Sequence, residues 1–172
     1  MKTNALLLFD TPLGRCGIRW TDAGVTGIEL PSSATRGPSP VEPSAAPAFV
    51  RTAIDGIQAV LAGESRDLGD VPIDERGIDP FRRSVYAATR RIPPGSTVSY
   101  GEIARAAGLG IGARDVGVAL SRNPFPVIVP CHRVVAANGA LTGFSAPGGL
   151  ATKRRMLELE GTPGYGQQVL FG

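Results

Sequence analysis

The run Val98-Ser99-Tyr100-Gly101-Glu102-Ile103-Ala104-Arg105-Ala106-Ala107, then Gly108-Leu109-Gly110-Ile111-Gly112, then Ala113-Arg114-Asp115-Val116-Gly117-Val118-Ala119-Leu120-Ser121-Arg122, decides the fold. Ser99 with Glu102 three residues on is the pattern of a capping box, which predicts a short helix over Tyr100 to Ala107. The glycines that follow end it in a turn. A second short helix runs from Ala113 to Arg122 and stops before Asn123-Pro124. Helix, glycine-containing turn, helix reads as a helix-turn-helix. Such pairs also occur in proteins that never touch nucleic acid, so the flanking sequence must decide what this one is for.

Directly downstream stands Val127-Ile128-Val129-Pro130-Cys131-His132-Arg133-Val134-Val135, which holds the only histidine and one of the two cysteines of the chain. Packing alone does not explain a nucleophile, a proton acceptor and a permanent cation inside an apolar segment. A thiol is nucleophilic only as thiolate, and a free cysteine with pKa of about 8.5 needs a base or a positive field to ionise at neutral pH. His132 and Arg133 offer both. Neighbours in an extended segment face opposite ways, so Cys131 and His132 can cooperate only if the chain turns or a water joins them. Pro130 holds Val129 extended and removes a backbone donor, and a water relay is the expectation.

Upstream, Asp79-Pro80-Phe81 is an N-cap followed by proline at the first helical position, and a helix is expected to about Arg91, stopped by Ile92-Pro93-Pro94-Gly95. Ala5 to Phe9, Cys16 to Trp20 and Val25 to Leu30 read as three short strands of an antiparallel sheet, separated by turn residues. Pro31 to Pro47 is rich in Pro, Ser and Ala and predicts a mobile loop. Ala48 to Leu61 carries apolar residues at helical spacing, closed by Gly63. Glu64 to Gly77 is expected to connect, with one strand inside it. The fold class is therefore α/β: a small N-terminal domain with an antiparallel sheet plus helix (1–78), and a mostly helical C-terminal domain (79–172) containing the helix-turn-helix.

The 172 residues are 42% hydrophobic, ample for a core. No apolar stretch approaches eighteen residues and the first residues lack a signal-peptide layout, so a soluble, cytoplasmic protein without a membrane partner is expected. Cys16 and Cys131 are more simply free thiols than a disulfide. One histidine and two cysteines cannot furnish a four-ligand zinc site without consuming the nucleophile, so neither metal nor cofactor is expected. The net charge of +3 hides an asymmetry, with +7 between Pro80 and Gly161 against −4 between Met1 and Asp79. A basic half is an electrostatic footprint for nucleic acid, although basic faces are also often solvated surface.

The second half resembles the O6-alkylguanine-DNA alkyltransferases, or methylated-DNA-protein-cysteine methyltransferases. The matching text is Ile92-Pro93-Pro94-Gly95, Val98 to Ala104, Ala113 to Gly117, Asn123-Pro124 through Pro130-Cys131-His132-Arg133-Val134-Val135, Gly143-Phe144-Ser145, Gly148-Gly149-Leu150, Lys153 and Leu159-Glu160-Gly161. It spans about Phe81 to Gly161. The first half resembles the family's variable N-terminal domain in layout only.

The resemblance implies that Cys131 takes an alkyl group from O6 of a guanine, and from O4-alkylthymine, flipped out of duplex DNA. Its proton would pass through water to His132, oriented by Glu160. Tyr100 would donate to the leaving base, and Asn123 would brace the turn that carries the site. The Val134 carbonyl and the Ser145 amide would read the base in a pocket shared with Phe144, and Arg114 would fill the gap in the base stack. Ala113, Arg114, Asp115, Tyr100 and Arg133 are the expected DNA contacts. The partner implied is double-stranded DNA carrying alkylated guanine, bound by a monomer, with cooperative loading left open. Attack on a methyl carbon must be an in-line displacement, which suits a soft thiolate, and the thioether product makes the protein act once.

The sequence also departs from the family pattern. Asp115 stands where relatives carry a small residue, and a carboxylate there repels phosphates while a helix N-terminus offsets part of its charge. Arg82 and Tyr86 replace glutamine and tryptophan, Phe144 replaces a tyrosine, and Ala146-Pro147 lengthens the loop before Gly148-Gly149. Two rivals remain. A cysteine hydrolase would need a histidine from elsewhere in the chain, and there is none. A non-catalytic protein that binds alkylated DNA, or a helix-turn-helix regulator, would keep the helices without needing Cys131.

Overall fold

A computed structural model describes residues 5–32, 39–108 and 110–166. Three strands, β1 (Ala5–Thr11), β2 (Gly14–Thr21) and β3 (Gly24–Glu29), form an antiparallel sheet in the order β1-β2-β3. β1 and β2 extend a residue or two beyond the apolar runs that predict them, because the turns at Pro12-Leu13 and Asp22-Ala23 are only two residues long, while β3 both starts and ends one residue earlier than expected. Inward-facing Leu7, Phe9, Cys16, Ile18, Trp20, Val25 and Ile28 pack with Val50, Ala53, Ile57, Val60 and Leu61 of helix α1 (Ala48–Leu61). Of the expected loop, residues 33–38 lie outside the described residues, and Pro43–Ala45 makes one 3-10 turn.

The connecting segment 64–77 does not form the expected strand. Its one sheet-like contact is a parallel bridge between Val25 and Ile73, in which Val25 N–H donates to the Pro72 carbonyl and Asp74 N–H to that of Val25. The carbonyls of Leu68 and Val71 are taken instead by the Arg90 guanidinium at 2.9 and 2.8 Å, which commits this stretch to a side chain rather than to a ladder.

Helix α2 (Pro80–Thr89) starts as its sequence dictates, with the Asp79 side chain accepting from Arg82 N–H at 2.9 Å. It ends two residues earlier than expected. Tyr86 is buried and donates its hydroxyl proton to the Ala119 carbonyl at 2.9 Å, so the departure from tryptophan serves packing and ties α2 to the later helix. The two-residue strand β4 (Val98–Ser99) leads into α3 (Tyr100–Ala107), whose capping box is complete: Glu102 N–H donates to Ser99 Oγ, and Ser99 N–H to Glu102 Oε2. Helix α4 (Ala113–Ser121) packs against both α2 and α3. Leu109, in the expected turn between α3 and α4, lies outside the described residues.

Strand β5 (Val134–Val135) pairs in parallel with β4, and α5 (Gly149–Leu159) closes the chain over it. One buried cluster runs from the sheet through α1, α2, α3 and α4 to Met156 of α5. The segment from Phe125 to Val134 is therefore anchored to both halves of the chain. Among the described residues no helix is long and apolar enough to cross a membrane.

Candidate active site

The segment between α4 and β5 is held by the side chain of Asn123. Its Nδ2 donates to the Val129 carbonyl at 2.8 Å, its Oδ1 accepts from Phe125 N–H at 2.9 Å, and Val129 N–H donates to the Phe125 carbonyl at 2.8 Å. From the N-terminal sheet, Ile28 N–H donates to the Pro124 carbonyl at 2.9 Å. Inside this knot Val127 sits at φ 74°, where a β-branched side chain is strained by about 1–3 kcal/mol. The hydrogen bonds on either side over-determine the conformation and hold it.

At Cys131 the chain is not extended. Cys131–Arg133 form a 3-10 turn, with Arg133 N–H on the Pro130 carbonyl at 2.9 Å. The turn buries the side chains of Cys131, His132 and Arg133 together. His132 Nε2 donates to Glu160 Oε1 at 2.6 Å. Arg133 Nε donates to Glu160 Oε2 at 2.9 Å, its Nη2 to Oε1 at 2.8 Å and its Nη1 to the Ile92 carbonyl at 2.7 Å. Arg133 is 4% exposed, so the expectation that it contacts DNA is corrected. Its charge is spent on a buried carboxylate that would otherwise be costly to ionise.

The electrostatics follow from this arrangement. Burial alone would raise the Glu160 carboxyl, but His132 and Arg133 outweigh it and hold the pKa down at about 2. Burial pushes the imidazole of His132 below its ordinary value, against the pull of Glu160, so it is neutral at pH 7. A neutral ring that donates through Nε2 keeps a lone pair on Nδ1, and this atom is buried without a hydrogen-bond partner among the described residues. Burial pushes the Cys131 thiol up, while the Asn123 side chain and the Lys153 ammonium pull it down. At rest Cys131 is therefore a thiol and His132 a neutral base, both buried.

Cys131 lines a cavity of about 1000 Å³ together with Tyr100 and Arg105 of α3, Ala113, Arg114, Gly117 and Val118 of α4, and Thr142 to Ser145. The Tyr100 hydroxyl donates to the Thr142 carbonyl at 2.9 Å. Ala113, Arg114 and Asp115 are exposed on the first turn of α4. Phe144 is half-buried, and Ser145 Oγ donates to the Ser121 carbonyl at 2.9 Å, which fastens the lengthened loop to the end of α4. Val134 is not brought to the cavity. It is fully buried, and its carbonyl accepts from Lys153 Nζ at 2.7 Å.

The residue that sequence reasoning missed is Lys153. Its side chain is fully buried on α5, and its ammonium also donates to the Thr142 carbonyl at 3.2 Å and to Tyr100 Oη at 3.4 Å, 5.7 Å from the Tyr100 ring centroid. Burial lowers its pKa to about 8, against the pull of Cys131. A signal was present, because Lys153 shares a helix face with Met156, Leu157 and Glu160 at spacings of three, four and seven. Since the folded state gives up this proton before the unfolded chain does, Lys153 adds stability as pH rises from about 8 to 10.5. Melting curves of the wild type and Lys153→Met should therefore diverge in favour of the wild type across that window.

Among the described residues no three His, Cys, Asp or Glu side chains gather as a metal site, and both cysteines are free. A buried thiol beside a neutral histidine, opening on a cavity walled by two short helices, defines a cysteine-dependent class of protein. Residues 80–162 match the family model described as 6-O-methylguanine DNA methyltransferase, DNA binding domain. The methylated-DNA-protein-cysteine methyltransferase of Mycobacterium tuberculosis is 39% identical, over 94% of this chain and 95% of that protein. A DNA base-flipping protein of Thermus thermophilus is 40% identical over 88% of this chain and 96% of its own length. A crystal structure of the M. tuberculosis OGT in complex with DNA superposes with a TM-score of 0.72 at 37% identity, covering 91% of this chain and 93% of that one. The chain belongs to the methylated-DNA-protein-cysteine methyltransferase family.

Proposed function

We propose that this protein repairs DNA directly, by moving the alkyl group of an O6-alkylguanine, or of an O4-alkylthymine, irreversibly onto Cys131. The observation that carries this reading is the buried His132 Nδ1, left as an acceptor by the Glu160 bond, on the residue that directly follows Cys131, which opens on the cavity. The Cys131 proton passes through a water to Nδ1. The sulfur then attacks the alkyl carbon in line, the S–C bond forms as the C–O6 bond breaks, and the electron pair stays on the guanine. Tyr100 leaves the Thr142 carbonyl and gives its proton to that anion, and the proton held on His132 returns to Tyr100 through solvent. Lys153 supplies positive charge, first beside the thiolate and then beside the developing base anion. No step regenerates the thiol, so each molecule acts once.

We read α3, the glycine-containing turn and α4 as a helix-turn-helix within a DNA-binding domain over 79–172, with 1–78 as a supporting domain. The protein acts as a monomer in the cytoplasm. A base inside the duplex cannot reach Cys131, so the target nucleotide is flipped into the cavity, where the Ser145 amide and Phe144 hold it and Arg114 takes its place in the stack. Flipping costs a few kcal/mol, which the wedge and phosphate contacts offset. Arg114→Ala should therefore slow repair of a duplex lesion by roughly 10- to 100-fold, while reaction with the free base O6-methylguanine falls far less. Equal losses on both substrates in single-turnover assays would remove Arg114 from the flipping step.

The test of the whole reading is mass spectrometry of the protein after incubation with a duplex containing O6-methylguanine. The peptide bearing Cys131 is expected to gain one methylene. An unaltered thiol on protein that still holds the duplex would favour a binding-only protein instead.

A further inference from the structure

Cys131 lines two cavities. One is the cavity of about 1000 Å³ walled by α3 and α4, and the other, of about 530 Å³, lies between the N-terminal sheet and the loop that follows Gly143. Leu8, Ile28 and Leu30 line the second from the sheet, and Leu120, Pro126 and Phe144 from the other half of the chain. Leu120, Cys131, Phe144 and Ser145 line both cavities and so form the partition between them. Ala146 and Pro147, which lengthen the loop, line only the second. Polar groups on its wall are answered within the chain: the Asn123 amide by Val129 and Phe125, Ser145 Oγ by the Ser121 carbonyl, and Glu29 by Arg19 Nε at 2.8 Å. Exposed Arg15 and Ser32 mark its mouth.

The geometry points to this second cavity as the chamber that receives the alkyl chain on Cys131, so that the N-terminal sheet, remote in sequence from the cysteine, decides which apolar chains longer than methyl are accepted. The inference rests on the proposed function and extends it to the alkyl part of the substrate. In an in-line displacement the sulfur, the reacting carbon and O6 share one line, with the base on the side away from the sulfur. The rest of the alkyl chain must therefore project sideways from that line, past the neighbours of Cys131. The base takes the cavity of α3 and α4, which leaves the second cavity as the other space that Cys131 touches. A methyl group needs neither. Once the C–O6 bond has broken, the S–C bond keeps the chain on Cys131 for good, and every methylene that enters an apolar wall gains transfer free energy that a methyl group lacks. Phe144 suits the partition, because a phenyl ring brings no hydroxyl that would need a partner there.

The chamber can be filled without touching the site of the base, because neither Leu8 nor Ala146 lines the cavity of α3 and α4. Leu8→Trp narrows it from the sheet and Ala146→Trp from the loop. Single-turnover transfer from duplexes carrying O6-methylguanine or O6-butylguanine is followed by mass spectrometry of the Cys131 peptide, with melting curves confirming that each variant is folded. The wild type is expected to take both groups. Each variant should transfer butyl at least about tenfold more slowly than the wild type while its methyl transfer stays within about twofold. Should Leu8→Trp fail to fold, Ala146→Trp decides the matter on its own. Folded variants that slow both substrates alike, or neither, would overturn the assignment, and so would a wild type that takes methyl but refuses butyl. A wild type that leaves Cys131 unmethylated would defeat the proposed function instead, a result read on the methyl duplex alone.

Discussion

Cys131→Ser is expected to abolish alkyl transfer while leaving lesion binding intact. Serine is close in size, so the cavity and the Asn123 knot keep their shape, but its hydroxyl is far harder to ionise than a thiol. The neutral imidazole of His132 is too weak a base to close that gap for attack on a saturated carbon, which lacks a carbonyl to polarise. Transfer should fall below detection, by at least about 10⁴-fold, a loss beyond what removal of a general base alone produces. The measurement pairs intact-protein mass spectrometry with a mobility shift on an O6-methylguanine duplex. Retained methyl transfer by the serine variant would place the acceptor elsewhere, and Cys16 would be the group to examine next. Cys16 is a weak rival, because burial in the sheet pushes its thiol up and its Sγ donates to the Gly14 carbonyl at 3.8 Å, which favours the protonated form.

Elements whose cause lies within a few residues were legible in the sequence. Helix α1 spans the residues that its apolar spacing marks, the Ser99–Glu102 capping box forms as written, and Asp79-Pro80 starts α2. What long-range partners decide was not legible. The segment 64–77, expected to hold one strand, instead gives the carbonyls of Leu68 and Val71 to Arg90, a residue more than fifteen positions away from either. Val127 adopts a left-handed conformation because Asn123 and the Phe125–Val129 bond enclose it, and no local preference of valine points there. Within Pro-Cys-His-Arg, the sequence marked Cys131 and His132 as chemistry. It could not tell that Arg133 turns inward, because that depends on Glu160 arriving 27 residues later. Lys153 was read as part of a motif, and its burial depends on Val134 and Thr142 offering carbonyls across the fold.

That same dependence on Glu160 makes it the residue whose loss should be felt both in stability and in chemistry. Glu160→Gln keeps the shape and leaves an amide oxygen for His132, but it strands the buried Arg133 guanidinium without a counter-charge. Breaking a buried pair from one side costs about 3–5 kcal/mol, which should lower the midpoint of chemical denaturation markedly at pH 7. A loss of packing alone would do the same, so the pH profile is the sharper readout. In the wild type the Glu160 pKa of about 2 lies below its unfolded value of 4.5, so its contribution to stability is present above pH 4.5 and is lost as pH falls towards 2. His132, depressed below 6.5, starts the decline earlier, because the unfolded chain takes up a proton that the folded protein refuses. Glu160→Gln should therefore flatten the acid limb below pH 4.5. It should also slow alkyl transfer by roughly 10²-fold, since the imidazole loses the carboxylate that stabilises its protonated form. A variant that is destabilised equally at every pH and transfers at the wild-type rate would show that Glu160 serves only to hold Arg133, and the proton would have to leave Cys131 by a route that does not use His132.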